Sequence, residues 1–366
     1  MDTETAPLAG TRILDLSRLI PGPYATLLLA GLGAEVVKVE PPGEGDYLRR
    51  LPPLGPDGMN AVFSALNRGK RSAVLNLRAE GGREALRRLA ARADVLVESF
   101  RPGVLDRLGV GLESLRAASP RLVTCSISGY DAGGPHAARA GHDLTYQALA
   151  GALGLVPAGE AGPPMPPLTL ADLSGGLFAA QGVLAALLAR ASSGRGRHVA
   201  VSLEESVGAL LVLDRAELGM AHGFGDQLRG GRAGYRLYRC ADGRHLALAA
   251  LEPKFWQAFC RAAGRPEWEA RWPDPDQASL AGEVAALLAG RPAEEWAALL
   301  HAADVPCDAV RELAEARPYR PLPYALGGGP PEAPAPRQGA DTAAVLGEAG
   351  YGEAELAALL EAGAAG

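Results

Sequence analysis

The sequence predicts an α/β protein, with a doubly wound parallel sheet as its large domain and a smaller α+β domain after it. Three observations predict this. Through the first half, short β-branched runs alternate with helical patterns, the rhythm of β-α-β units whose strands are covered on both faces. A glycine-rich stretch at 223–234 then separates this half from a hairpin-and-helix unit at 235–317. A Pro- and Gly-rich stretch at 318–339 reads as a return linker, leading to C-terminal helices at 340–366 that pack back on the large domain, residues 1–222.

Each element has a local reason. Arg12–Leu16 reads as a buried strand, followed by a helix from about Gly22 to Leu32 with Pro23 in its first turn and Gly33 as its stop. Strands follow at Ala34–Glu40 and Ser72–Leu77, then a helix over Gly81–Ala93 with apolar residues at helical spacing. Asp94–Glu98 and Arg121–Ser128 complete the set of strands in this half. A long helix at Leu173–Ala191, a strand at His198–Leu203 and a helix from Glu204 lead to the linker. Beyond it, Tyr235–Cys240 and His245–Leu251 form a hairpin turning at Asp242-Gly243, with helices at Pro253–Ala263 and 278–301. Thr342–Gly347 and Glu353–Glu361 are short closing helices.

Composition narrows the function. The 366 residues suffice for about two domains. Hydrophobic content of 48% and charged content of 21% are those of a globular enzyme, and a net charge of −6 argues against nucleic acid as a partner. Cys125, Cys240, Cys260 and Cys307 are scattered without a C-x-x-C pair, which fits a reducing, cytoplasmic setting and no structural zinc. The most apolar run, Gly175–Leu188, reads as too short to cross a bilayer, so no membrane partner is expected. The turn after the first strand, Ser17–Pro23, lacks G-x-G-x-x-G, and no P-loop is present, so the sheet is not read as a dinucleotide or nucleoside triphosphate site.

Gly141-His142-Asp143, Ala171-Asp172 and Glu252-Pro253 place three ionisable side chains where a strand or loop hands over to a helix. None has metal-ligand or nucleophile-elbow context, and together they suit moving a proton onto and off a carbon. Each also has an ordinary reading. Asp172 and Glu252 are natural N-caps, and a histidine in a glycine-flanked loop is by default a solvated imidazole. Histidine is nonetheless the side chain best suited to act as a base at neutral pH.

The motifs Arg18-Leu-Ile-Pro-Gly-Pro23, Asn67-Arg-Gly-Lys-Arg-Ser72, Ser99-Phe-Arg-Pro-Gly103 and Ser128-Gly-Tyr130 occur in one order with Gly141-His-Asp143, Leu170–Gly176 and Ser193-Gly-Arg-Gly196. In that order they resemble the family III CoA-transferase/racemase superfamily (CaiB/BaiF type), nearest to its α-methylacyl-CoA racemases. The resemblance implies an interlocked homodimer acting on an acyl-CoA thioester, with CoA as part of the substrate and no cofactor. It makes Asp172 a catalytic residue in either reaction, as a base in racemases or as the carrier of the acyl group in CoA-transferases, the alternative activity. His142 and Glu252 match the racemase pattern. A racemase would use His142, supported by Glu252, and Asp172 as two bases, with the backbone N–H of Asp143 a donor to the enolate oxygen.

The same resemblance, with the basic residues near strand ends, marks Lys38, Lys70, Arg71 and Arg101 as phosphate contacts. It marks Ile20, Tyr146, Leu228, Tyr235 and Leu251 as the acyl pocket. Asp131-Ala132 and the short segment at 314–326 depart from the family pattern, away from the three catalytic positions.

Overall fold

A computed structural model describes residues 5–156, 163–220, 223–318, 320–323, 326 and 332–366. The chain divides into two compact units, residues 1–210 with 320–366, and residues 211–319. The boundary thus falls at Leu211 and not at the glycine-rich stretch, which itself contains a helical turn. Residues 221–222, and 319, 324–325 and 327–331 of the expected return linker, lie outside the described residues.

The first unit is built on six parallel strands: β1 (Arg12–Asp15), β2 (Glu35–Glu40), β3 (Arg71–Val74), β4 (Val95–Glu98), β5 (Val123–Ser128) and β6 (His198–Ser202). Their order across the sheet is β3-β2-β1-β4-β5-β6, the doubly wound arrangement whose order reverses between β1 and β4. Ile13, Leu14, Val95, Leu96 and Val97 are fully buried, as strands covered on both faces must be. The covering helices of the chain's first half are α1 (Pro21–Gly31), α2 (Ala61–Asn67), α3 (Glu80–Ala90), α4 (Val104–Arg107), α5 (Leu112–Ala118), α6 (Asp143–Ala150), α7 (Leu170–Ser193) and α8 (Leu203–Leu210).

α7 corrects the expectation of a short apolar run. At 24 residues it is long and apolar enough to span a bilayer, and 44% of its most apolar window is buried inside the fold. Its glycines let it press on α1, since a Cβ at Gly176 would lie 2.6 Å from the Pro21 carbonyl oxygen.

The second unit begins with α9 (Val212–Ala216) and α10 (Phe224–Asp226) and carries the expected hairpin, β7 (Tyr235–Arg239) and β8 (His245–Ala249). α11 (Pro253–Ala262) follows, and the run expected as one helix is two, α12 (Gln277–Leu288) and α13 (Ala293–His301). Gly290-Arg291-Pro292 breaks it, because Pro292 cannot continue a helix and instead caps α13. A third strand, β9 (Cys307–Ala309), pairs with β8 and was not foreseen.

The tail returns to the first unit. α14 (Thr342–Glu348) and α15 (Glu353–Glu361) pack their apolar residues beside β2 and β3. The Thr342 hydroxyl oxygen accepts the Val74 N–H at 3.0 Å, and the Ala364 carbonyl accepts the Asn76 N–H at 2.9 Å. The free edge of the sheet is therefore covered by the chain's own end.

Candidate active site

β5 ends at Ser128, and the loop after it passes two aromatic rings before opening α6. Tyr130 and Tyr146 meet edge to face with centroids 5.1 Å apart. Gly141 must run between them, because a Cβ there would lie 2.5 Å from Tyr146 Cε1 and 2.8 Å from the Tyr130 hydroxyl. His142 then takes an extended backbone as the N-cap residue of α6. Its N–H donates to Thr145 Oγ1 at 3.1 Å, and the Thr145 hydroxyl donates to the His142 carbonyl at 2.8 Å. The loop is fixed by backbone contacts, while the imidazole is exposed and has no hydrogen-bond partner among the described residues.

The start of α7 settles the ordinary reading of Asp172 as a cap. Asp172 is the third residue of the helix, and the carboxylate that satisfies the helix end belongs to Asp143. Asp143 Oδ1 accepts the N–H groups of Ala171 at 2.7 Å and Asp172 at 3.1 Å, and its Oδ2 accepts Gln147 Nε2 at 2.6 Å. One side chain at the N-terminus of α6 thus staples α6 to the N-terminus of α7. The Asp172 carboxyl, released from capping, has no hydrogen-bond partner among the described residues. Its pKa is pushed up to about 7, first by burial and then by the neighbouring Asp143 carboxylate. The backbone N–H of Asp143 opens α6, where no intrahelical carbonyl is available to it.

His142 and Asp172 line one cleft of about 340 Å³ in the first unit. Tyr146, Arg101, Arg18, Leu19, Tyr47 and Arg139 are among its other walls. Arg101 is exposed and makes no ion pair among the described residues. Tyr47 and Arg139 were not singled out from sequence, and Arg18 only as the head of a motif; it stands in the loop that leaves β1, at the strand end where such sheets take ligands. A neighbouring cavity of about 520 Å³ shares Arg18 and adds Arg78 and Arg107 with apolar Val39, Leu75 and Leu77.

Three expected phosphate contacts are corrected. Lys38 is fully buried, paired with Asp46 at 3.1 Å. Lys70 is buried against Asp15 at 3.0 Å and also donates to Thr26 and Asn67, with burial pulling its pKa down to about 8. Arg71 stands at the start of β3, the edge opposite the cleft, and is held by Glu35 and Glu348 at 2.7 and 2.9 Å. Each cation is occupied by carboxylates of the fold itself.

Ile20 is not among the walls of the cleft that holds His142 and Asp172, whereas its neighbour Leu19 is, although both pack against Leu27 and Phe63 beside α1. In the second unit, Leu228 and Tyr235 line a groove of about 510 Å³ with Leu237 and Leu248. Leu251 is not among its walls, and its carbonyl accepts Trp272 Nε1 at 3.1 Å. Glu252 is exposed at the N-cap of α11, in that same unit.

A family model described as CoA-transferase family III matches residues 8–320. The chain is 35% identical over 326 residues to the acetyl-CoA:oxalate CoA-transferase of Acetobacter aceti, covering 85% of this chain and 82% of that one. It is equally 35% identical over 318 residues to the alpha-methylacyl-CoA racemase of Mus musculus, covering 84% and 79%. A crystal structure of a CaiB/BaiF family protein from Brucella suis superposes with a TM-score of 0.82 at 28% identity, over 94% of this chain and 100% of that one.

Proposed function

The chain belongs to CoA-transferase family III, and on that premise we propose that it interconverts the R and S forms of 2-methylacyl-CoA thioesters. The thioester carbonyl acidifies the α-hydrogen by delocalising the carbanion into an enolate. One base removes the proton from one face of the α-carbon, and the other delivers its own proton to the opposite face. The enolate collapses to the thioester, and the two bases have exchanged protonation states. His142 and Asp172 are the bases in this reading, and the N–H of Asp143 is the donor aimed at the enolate oxygen. The support that Glu252 lends the imidazolium rests on the sequence resemblance.

One observation carries the reading: the Asp172 carboxyl shares a cleft with His142 and is relieved of helix capping by Asp143. A carboxyl titrating at about 7 serves as acid and base alike near neutrality, as a reversible proton shuttle requires. Arg18, Arg101, Arg78 and Arg107 replace the buried lysines as proposed contacts for the CoA phosphates. Leu228 and Tyr235 remain proposed acyl contacts, a homodimer the proposed assembly, and the cytoplasm the proposed location, in keeping with four free, buried thiols. The reaction draws on no cofactor.

The likeness to an oxalate CoA-transferase favours a second reading, in which Asp172 carries the acyl group between CoA and a carboxylate. Incubation with (R)-2-methylacyl-CoA in deuterium oxide, with no carboxylate added, separates the two. Racemisation yields S epimer carrying deuterium at the α-carbon. Absence of exchange, with CoA transfer on adding a carboxylate, would reject the racemase reading.

A further inference from the structure

The loop between β1 and α1 holds a leucine in a conformation that leucine disfavours. Leu19 has φ of +64°, in the left-handed region that side chains with a Cβ rarely occupy. Such a residue persists only where its surroundings impose it, and it marks a place worth explaining. Here three contacts converge on consecutive residues. Lys38 Nζ donates to the Ser17 carbonyl at 3.0 Å, the Arg18 N–H donates to Ser99 Oγ at 3.1 Å, and the Leu19 N–H donates to the Asp46 carboxylate at 3.2 Å.

Lys38 and Asp46 are themselves paired at 3.1 Å with both side chains fully buried. A buried ion pair is a poor source of net stability, so its presence asks for another role. Asp46 also accepts the Leu48 N–H at 3.1 Å and so caps the short turn Tyr47–Arg50. One carboxylate therefore orders both the residue before the turn of the loop and the segment that presents Tyr47. The Arg18 guanidinium lies 6.0 Å from the Tyr47 ring of that segment and 5.5 Å from the ring of Phe100 in the loop after β4, and Arg18 lines both the catalytic cleft and the neighbouring cavity.

We propose that Lys38 and Asp46 form a positioning pair that locks the Ser17–Leu19 loop and so aims the Arg18 guanidinium at the throat between the two cavities. The group it meets there is an anionic phosphate of the substrate's CoA portion, a role that rests on the acyl-CoA reading above. Neither Lys38 nor Asp46 touches substrate, and both act through Arg18.

The test is binding of free CoA by calorimetry, with KM and kcat for acyl-CoA measured alongside. The paired substitution Lys38→Met/Asp46→Ala removes both charges, so that neither is left buried alone. It is expected to raise the Kd for CoA and the KM together by about tenfold, while kcat changes less than about threefold. Arg18→Ala should cause a similar loss, and combining all three substitutions should add nothing further, since the pair acts through that one guanidinium. Ser99→Ala, which frees the Arg18 N–H without disturbing a buried charge, should raise the Kd by about threefold and decides the matter if the paired variant does not fold. A paired variant that binds CoA like the parent, or losses that simply add to that of Arg18→Ala, would overturn the proposal and leave the acyl-CoA reading standing. A parent protein that binds no CoA would overturn both.

Discussion

Asp143 and Asp172 divide between them work that a single aspartate commonly does. Asp143 caps the helix that carries Asp172, and in doing so it places a negative charge beside a half-buried carboxyl. Because the folded protein holds Asp172 protonated up to about pH 7, whereas the unfolded chain releases that proton near 3.8, ionisation opposes folding. The penalty is absent below about pH 4, grows as the pH rises towards 7, and is constant above that. Asp172→Asn should thus be more stable than the parent at pH 8 by roughly 1–3 kcal/mol, a gap that closes at pH 4, as thermal melts at the two pH values would register. Asp143→Ala should cost about 1 kcal/mol in urea unfolding through the freed N–H groups of α7. Asp143→Asn keeps an acceptor oxygen there and removes the charge, so it should retain most of that stability while lowering the pH midpoint of the Asp172 step in kcat.

At the level of elements, the site depends on close backbone approach. Gly176 brings α7 onto the start of α1, and the Cβ of an alanine there would also sit 2.9 Å from Tyr24 Cδ1. Gly176→Ala should destabilise the protein by about 1–3 kcal/mol in denaturant unfolding and reduce kcat, since the same helix carries Asp172. The strands of the parallel sheet were legible in the sequence because burial on both faces writes them as continuous apolar runs. β9 was not, since buried Cys307 and Ala309 about an exposed Asp308 do alternate, but three residues are too few to mark a strand in a sequence. Gly-His-Asp was legible as a catalytic candidate from its local pattern, but the fate of Lys38 and Lys70 was not. A lysine near a strand end reads the same whether it meets a phosphate or a buried carboxylate, and only the packing of Asp46 and Asp15 decides. Arg18 was overlooked as a site residue for the converse reason: it follows β1 in sequence, and its place in the cleft depends on the left-handed Leu19 beside it.

Across the whole first unit, the sheet order explains where the chemistry sits. The order reverses between β1 and β4, and the chains leaving those two strands diverge to opposite faces, opening a crevice at their carboxyl ends. Arg18 and Leu19 after β1, Ser99 to Pro102 after β4, and Gly129 and Tyr130 after β5 all line the cleft that holds His142 and Asp172. The central claim is that these two residues serve opposite faces of one carbon, and His142→Ala tests it most directly. The variant should be incubated with each pure enantiomer of a 2-methylacyl-CoA in deuterium oxide, following deuterium at the α-carbon and configuration separately. With only Asp172 left, one enantiomer should take up deuterium with retained configuration, the other should exchange at least about 100-fold more slowly, and neither should invert. Racemisation of both enantiomers at the parent rate would contradict the two-base account.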